Sequence, residues 1–209
     1  MKLYSTVMGK ASAEQTIERS RFICYVSPAE TREEAEEFFA VIRKKHRDAT
    51  HNVPAMVIGD KMQIQWASDD GEPQGTSGAP IVQLLVSMGI TNTAVMVTRY
   101  FGGIKLGTGG LVRAYTSSAK LGIEAAGVGG VYEMSVMDYE VDYGAYSKLD
   151  SMRSDIFAIE NTSFGEKVTV SMSFMPDREE EVMGILTNLT NGKGKVIKIS
   201  KMFLTKAEK

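Results

Sequence analysis

Arg99-Tyr100-Phe101-Gly102-Gly103-Ile104-Lys105-Leu106-Gly107-Thr108-Gly109-Gly110 places five glycines within nine positions, 102 to 110. The residues just before it, 93–98, are apolar and mostly β-branched and predict a buried strand. Residues 111–125 carry apolar side chains at helical spacing. Strand, glycine loop and helix is a geometry that aims backbone N–H groups and a helix N-terminus at an anion. Tight turns with φ > 0 also demand glycine, so the loop need not hold a ligand. Arg99, Lys105 and Arg113 flank it, however, and five glycines in nine exceed what a turn requires.

Outward from this stretch, Asp69-Asp70-Gly71-Glu72-Pro73-Gln74-Gly75-Thr76-Ser77-Gly78 is a long polar loop. Pro80 opens a helix to about Met88, which Gly89 stops. Strands are predicted over 53–58 and 62–67, joined by Gly59-Asp60 as a hairpin. Another is predicted over 21–26, closed by Pro28. Thr31-Arg32-Glu33-Glu34 is a capping box that starts a helix with Ala35, Phe38, Phe39 and Ile42 on one face. Its basic end, Arg43-Lys44-Lys45-His46-Arg47, suits the helix dipole. Residues 1–20 are polar and mixed, with no clear strand.

Downstream, Gly127, Gly129 and Gly130 mark a boundary and predict two domains, 1–130 and 131–209. In the second, strands over 132–141, 156–160, 167–174 and 195–203 alternate with helices over 143–154 and 177–190. Strand-helix-strand-strand-helix-strand is the split βαβ, ferredoxin-like pattern. The fold class is α+β.

The 209 residues are 43% hydrophobic and 24% charged, as in ordinary globular proteins of one or two domains. A formal net charge of −2 gives no bulk attraction to nucleic acid. Residues 1–130 hold 14 lysines and arginines against 13 acids, and the remainder 10 against 13, so any nucleic-acid contact belongs to the front half. The single cysteine, Cys24, forms no intramolecular disulfide and is predicted as a buried thiol. No apolar run approaches the roughly 18 residues of a membrane span, and Met1-Lys2-Leu3-Tyr4 opens no signal peptide. The expectation is a cytoplasmic protein with no membrane partner.

Asp69, Asp70 and Glu72 are oxygen donors of the kind a divalent cation takes. The EF-hand spacing is absent, and an acidic turn that caps its loop or pairs with Arg99 or Arg113 is the commoner arrangement. His46 and His51 lie five apart across a helix end, which is not zinc-helix spacing. Ser77 lacks the frame of a nucleophile elbow. Lys105 is no Walker lysine, and 103–107 fails G-x-G-x-x-G. Catalytic residue, metal and cofactor are therefore all unassigned, and the balance favours a non-enzyme. Arg99, Lys105 and Arg113 neutralise phosphate in the binding reading, while Tyr100 and Phe101 stack on bases. Gly102, Gly103, Gly107, Gly109 and Gly110 let a phosphate approach the backbone. The alternative makes Tyr100 and Phe101 core residues at a strand end.

These residues also carry a resemblance. Asp69-Asp70-Gly71-Glu72-Pro73, Gly75-Thr76-Ser77-Gly78-Ala79-Pro80, Thr98-Arg99-Tyr100-Phe101-Gly102-Gly103-Ile104-Lys105-Leu106-Gly107 and Gly109-Gly110-Leu111-Val112-Arg113-Ala114-Tyr115 resemble the signature of the IMPACT/YigZ family. Ser20-Arg21-Phe22-Ile23 and His46-Arg47-Asp48-Ala49-Thr50-His51-Asn52 are similar to its N-terminal motifs. Val53-Pro54-Ala55-Met56 departs from it, where the family usually has a cysteine and an aromatic. The resemblance implies an N-terminal domain with the fold of the second domain of a small-subunit ribosomal protein. It also implies a C-terminal ferredoxin-like βαββαβ domain similar to domain V of elongation factor G, as bacterial two-domain members carry. Eukaryotic relatives regulate translation by binding the large activator protein of the kinase that phosphorylates an initiation factor.

The expected function is a non-enzymatic RNA- or ribosome-associated protein that regulates translation. Arg43, Lys44, Lys45, His46 and His51 would extend its surface. Two alternatives stay open. One is a protein-interaction module with a protein partner. The other is a hydrolase or small-ligand enzyme whose loop 69–77 faces the glycine loop across a polar cleft. That cleft would hold Asp69, Asp70, Glu72, His46 and His51, with Asp70 or Glu72 as acid or base. It requires carboxylates in a concave pocket, not carboxylates tied into turn hydrogen bonds.

Overall fold

The computed structural model describes residues 2–152 and 155–207. The described chain is a mixed α/β protein with two sheets and five helices. In order the elements are β1 (Lys2–Val7), β2 (Ala11–Ile17), β3 (Ser20–Pro28), α1 (Arg32–Lys45), β4 (His51–Ile58), β5 (Ile64–Ala67), α2 (Gly78–Ser87), β6 (Thr93–Tyr100) and α3 (Gly107–Ala126). Then follow β7 (Val128–Val141), α4 (Tyr143–Ser151), β8 (Phe157–Phe164), β9 (Val168–Phe174), α5 (Glu179–Thr190) and β10 (Lys195–Ala207). Two compact units divide between Val131 and Tyr132, with residues 205–207 grouped with the first and Lys2 with the second.

The first unit is built on an antiparallel sheet ordered β2-β3-β6-β4-β5. Central β6 is buried from Thr93 to Arg99, which is why its sequence is a continuous apolar run instead of an alternating one. Period-two alternation sends its neighbours to opposite layers. Phe22, Cys24, Val26, Val95 and Val97 meet Ile81 and Leu85 of α2 and Tyr115, Ala119 and Ile123 of α3. Met56, Ile58, Ala94 and Met96 meet Ala35, Phe39 and Ile42 of α1. Gly122 lets α3 approach β3: a Cβ there would lie 2.4 Å from Cys24 Sγ. Burial pushes the Cys24 thiol well above its ordinary value.

Strands β1 and β2 have no counterpart in the sequence expectation. β2 is an edge strand whose sheltered positions are Ala11, Ala13, Gln15 and Ile17, too weakly apolar for the alternation to register. Gln15 Nε2 donates to Ser117 Oγ and Ser118 Oγ at 2.8 and 2.7 Å, so a polar pair ties part of β2 to α3. β1 is anchored by Thr91 N–H to Ser5 C=O and Met8 N–H to Gly127 C=O, both 2.9 Å.

The second sheet has five strands, in the order β1-β7-β9-β8 with β10 also paired to β7. Ala145 and Leu149 of α4 and Val182 and Leu186 of α5 pack on one face, against Met137, Tyr139, Val170, Met172 and Phe174. α4 ends at Ser151; the last two residues of the predicted helix, 153 and 154, lie outside the described residues. α5 exits through Asn191, at φ 50°, with Gly192 N–H bonded to Thr187 C=O at 2.8 Å. No described helix is long and apolar enough to cross a membrane.

Candidate functional site

The signature segments converge on one buried carboxylate. Register places His51 of β4 and Phe22 of β3 on either side of Arg99 of β6. The Arg99 side chain is 6% exposed and that of Glu72 4%. Arg99 Nη1 donates to Glu72 Oε1 at 2.6 Å, and Nη2 donates to Ser20 Oγ at 3.3 Å. The guanidinium carbon lies 5.3 Å from the Phe22 ring and 5.4 Å from the Phe101 ring. Arg99 Nε is buried with no hydrogen-bond partner among the described residues. Tyr115, from α3, donates its hydroxyl to the same Glu72 oxygen at 2.8 Å. Burial first, then the Glu72 charge, drive its phenol far above the ordinary value.

His51 Nε2 stands 3.7 Å from that oxygen. Its Nδ1 lies 2.8 Å from the Asp70 carbonyl, which only accepts, so Nδ1 carries the hydrogen. Glu72 thus ties together the polar loop, β4, β6 and α3.

The other two carboxylates of the loop are also committed. Asp69 accepts from Gly75 N–H (2.8 Å), Ser77 N–H (3.1 Å), Ser77 Oγ (2.7 Å) and Gly78 N–H (2.9 Å). Ser77, the N-cap of α2, makes no side-chain cap of its own, so Asp69 serves the helix start instead. Burial works against the Asp69 charge, but these four donors outweigh it and hold the carboxyl below its usual range. Gly78 permits this approach, since a Cβ would lie 2.7 Å from the Ser68 carbonyl oxygen. Asp70 Oδ2 accepts Asn52 N–H at 2.6 Å. A cavity of about 370 Å³ is lined by Asp69 with Gln65, Trp66 and Gln83, but by neither Asp70 nor Glu72. Among the described residues no group of three or more His, Cys, Asp or Glu is placed to hold a metal. These carboxylates organise the loop.

The glycine loop lies above this group. A Cβ on Gly102 would sit 2.0 Å from the Arg19 carbonyl carbon and oxygen, so the two backbones touch. Gly102 N–H donates to Ser20 Oγ at 3.2 Å and Phe101 N–H to Thr50 Oγ1 at 3.0 Å. α3 begins at Gly107, four residues before the expected start, because glycine's poor helix propensity hides the first turn. That turn has no side-chain cap and no acidic residue. Lys105, Arg113 and Phe101 are exposed. Gly103 carries φ 87° with open space around it.

Tyr100 and His46 join a different chain of bonds. Tyr100 donates to Asp48 Oδ1 at 3.2 Å and therefore accepts from His46 Nδ1 at 2.9 Å. That leaves His46 Nε2 to accept from the Tyr25 hydroxyl at 2.7 Å. Burial, followed by the Lys45 and Arg21 cations, holds His46 below its ordinary pKa and keeps it neutral. Arg43, Lys44 and Lys45 are exposed nearby, with Lys45 Nζ 4.9 Å from the Tyr25 ring.

The structure therefore brings together Arg99, Glu72, His51 and Asp70, and leaves Lys105, Arg113 and Phe101 at the surface. Ser20, Asn52 and Tyr115 received no role from sequence. Tyr115 offered a signal: a phenol on the stripe of Leu111, Ala114 and Ser118 needs a buried partner.

A family model described as the Impact N-terminal domain matches residues 18–123, which contain this whole constellation. The IMPACT family member YvyE of Bacillus subtilis is 40% identical over 98% of this chain and 94% of its own length. The IMPACT family member YigZ of Escherichia coli is 44% identical over 48% of this chain and 50% of its own. A solved structure, described only as that of a hypothetical protein, superposes with a TM-score of 0.61 at 27% identity, covering 96% of this chain and 98% of that one. Matched over half its length by the family model and almost end to end by a relative, the chain belongs to the IMPACT family.

Proposed function

We propose that this protein is a non-enzymatic RNA- or ribosome-associated regulator of translation. The observation that carries the reading is the first turn of α3. Its N–H groups have no side-chain cap, its residues Gly107, Thr108, Gly109 and Gly110 leave the backbone open, and no acid lies nearby in that turn. Lys105 and Arg113 are exposed beside it. A helix start with two cations and no competing carboxylate suits a phosphate. Phe101, 46% exposed, offers a ring face for a base. In this reading Lys105, Arg113 and the amides of 107–110 meet the phosphate. Arg99, Tyr100, Gly102 and Gly103 shape the loop from beneath. Regulation of translation is what the family resemblance implies, and a cytoplasmic site of action goes with it.

The same reading assigns 1–130 to an IMPACT-type domain with the fold of the second domain of a small-subunit ribosomal protein. It assigns 131–209 to a ferredoxin-like domain similar to domain V of elongation factor G. The order β10-β7-β9-β8 within the second sheet, with both helices on one face, supports the second assignment.

Binding of the full chain to single-stranded RNA and to ribosomes across a salt series tests the proposal. The logarithm of affinity should fall linearly with that of salt, by about 0.7 per phosphate neutralised. Lys105→Glu with Arg113→Glu should weaken binding at least about tenfold in a protein that stays folded. Absence of binding at the lowest salt would overturn the reading. Arg99 is left unchanged in this test, because its loss would strand Glu72.

A further inference from the structure

Helix α1 carries a second stripe that packing against the sheet does not use. Ala35, Phe39 and Ile42 turn to the core. Glu34, Phe38, Val41 and Lys45 recur four, three and four residues apart, the heptad spacing that lines one side of a helix. Val41 is 65% exposed, and Phe38 is half-buried. The stripe forms one wall of a groove of about 800 Å³, whose other wall includes Tyr25 of β3 and Ser12 of β2. The helix dipole explains an acidic start and a basic end. It does not call for an apolar centre on the same stripe.

The order of the stripe is its own complement. Glu34 stands four residues before Phe38, and Lys45 four after Val41. Read backwards, acid-aromatic-valine-lysine becomes lysine-valine-aromatic-acid. An antiparallel copy therefore sets Glu34 against Lys45 and Phe38 against Val41, and the two-fold axis repeats both pairs. Glu34 Oε2 accepts Glu30 N–H at 2.7 Å, and Lys45 Nζ lies 4.9 Å from the Tyr25 ring. Both side chains remain exposed to a further partner.

We propose that α1 pairs antiparallel with α1 of a second copy of this chain, making a two-fold symmetric dimer through Glu34, Phe38, Val41 and Lys45. The apolar centre supplies the area removed from water, and the charged ends fix direction and register. A polyanion would meet Glu34 and Glu37 along this groove, which decides against RNA there. A wholly apolar helix would bury the charged ends without counter-charges. A second copy brings both counter-charges in the required order.

The test is the mass of the full chain by sedimentation equilibrium over a concentration series. The parent should approach the dimer mass as concentration rises. Val41→Glu sets a charge against Phe38 and should raise the dissociation constant at least about tenfold in a chain that stays folded. Glu34→Lys and Lys45→Glu should each weaken self-association, because like charges then meet. An equimolar mixture of the two should associate again, because every pair is opposite once more. Glu34→Lys also loses the bond to Glu30, so its thermal melt is measured alongside. If it fails to fold, Val41→Glu and Lys45→Glu still decide the question. The Lys105→Glu, Arg113→Glu double variant should dimerise as the parent does, so failure here is separable from failure of RNA binding. A parent that is monomeric at every concentration would overturn the proposal. So would a dimer that folded Val41→Glu leaves intact, or a mixture of the two folded charge variants that stays monomeric.

Discussion

Glu72 Oε1 lies 2.6 Å from Arg99 Nη1, with both side chains almost wholly withdrawn from water. Two segments 27 positions apart are joined by a charge pair that water does not screen. Removing one partner leaves the other ionised and buried, a loss of about 3–5 kcal/mol. Arg99→Ala and Glu72→Ala should each lower the urea midpoint by that equivalent. Arg99→Ala combined with Glu72→Ala should cost less than the sum of the two, because neither charge is then stranded. Strict additivity in the double-variant cycle would mean that the pair does not act as a unit.

Asp69 is expected to behave as a helix cap supplied from outside the helix. Asp69→Ala should destabilise by about 1–2 kcal/mol. Its folded pKa lies below the ordinary 3.8, so its contribution is present above that value and is lost as pH falls through the folded one. Stability followed from pH 6 downward should show a loss at the acid end that Asp69→Asn reduces.

The pH dependence of His46 has the same sense of linkage in a higher pH range. The unfolded chain takes up a proton near 6.5, and the folded chain does so only at lower pH. Its contribution is therefore complete above 6.5 and declines as pH falls below it. Urea midpoints should drop between pH 7.5 and 5. His46→Gln should flatten that drop while lowering stability at pH 7.5.

Neighbouring glycines should respond differently to one methyl group. Gly102→Ala drives a Cβ into the Arg19 backbone at 2.0 Å and should prevent folding or displace the loop. Gly103→Ala meets open space and pays only for a positive φ, roughly 1–2 kcal/mol. Expression and thermal melts of the two variants distinguish these outcomes.

What the sequence made legible follows strength of pattern. The continuous apolar run of β6 and the capping box at Thr31, whose Oγ1 accepts Glu34 N–H at 3.2 Å, left little choice. β2 was hidden because an edge strand tied down by Gln15 needs no apolar alternation. Within the site, the acidic turn was legible as a cap or as a partner for Arg99, and Asp69 and Glu72 divide those roles between them. Sequence spacing could not tell which carboxylate took which role. Nor could it show that Ser20, 79 positions before Arg99, shares its guanidinium. Pairings that long are fixed by sheet register, which one chain read alone does not reveal.

The close seat of Gly122 on Cys24 makes the molecule its own reporter of motion. The chain's single thiol is wholly buried under the C-terminal part of α3. A thiol reagent can reach it only when that helix lifts from the sheet, so the labelling rate counts openings of the first unit's core and ignores fraying elsewhere.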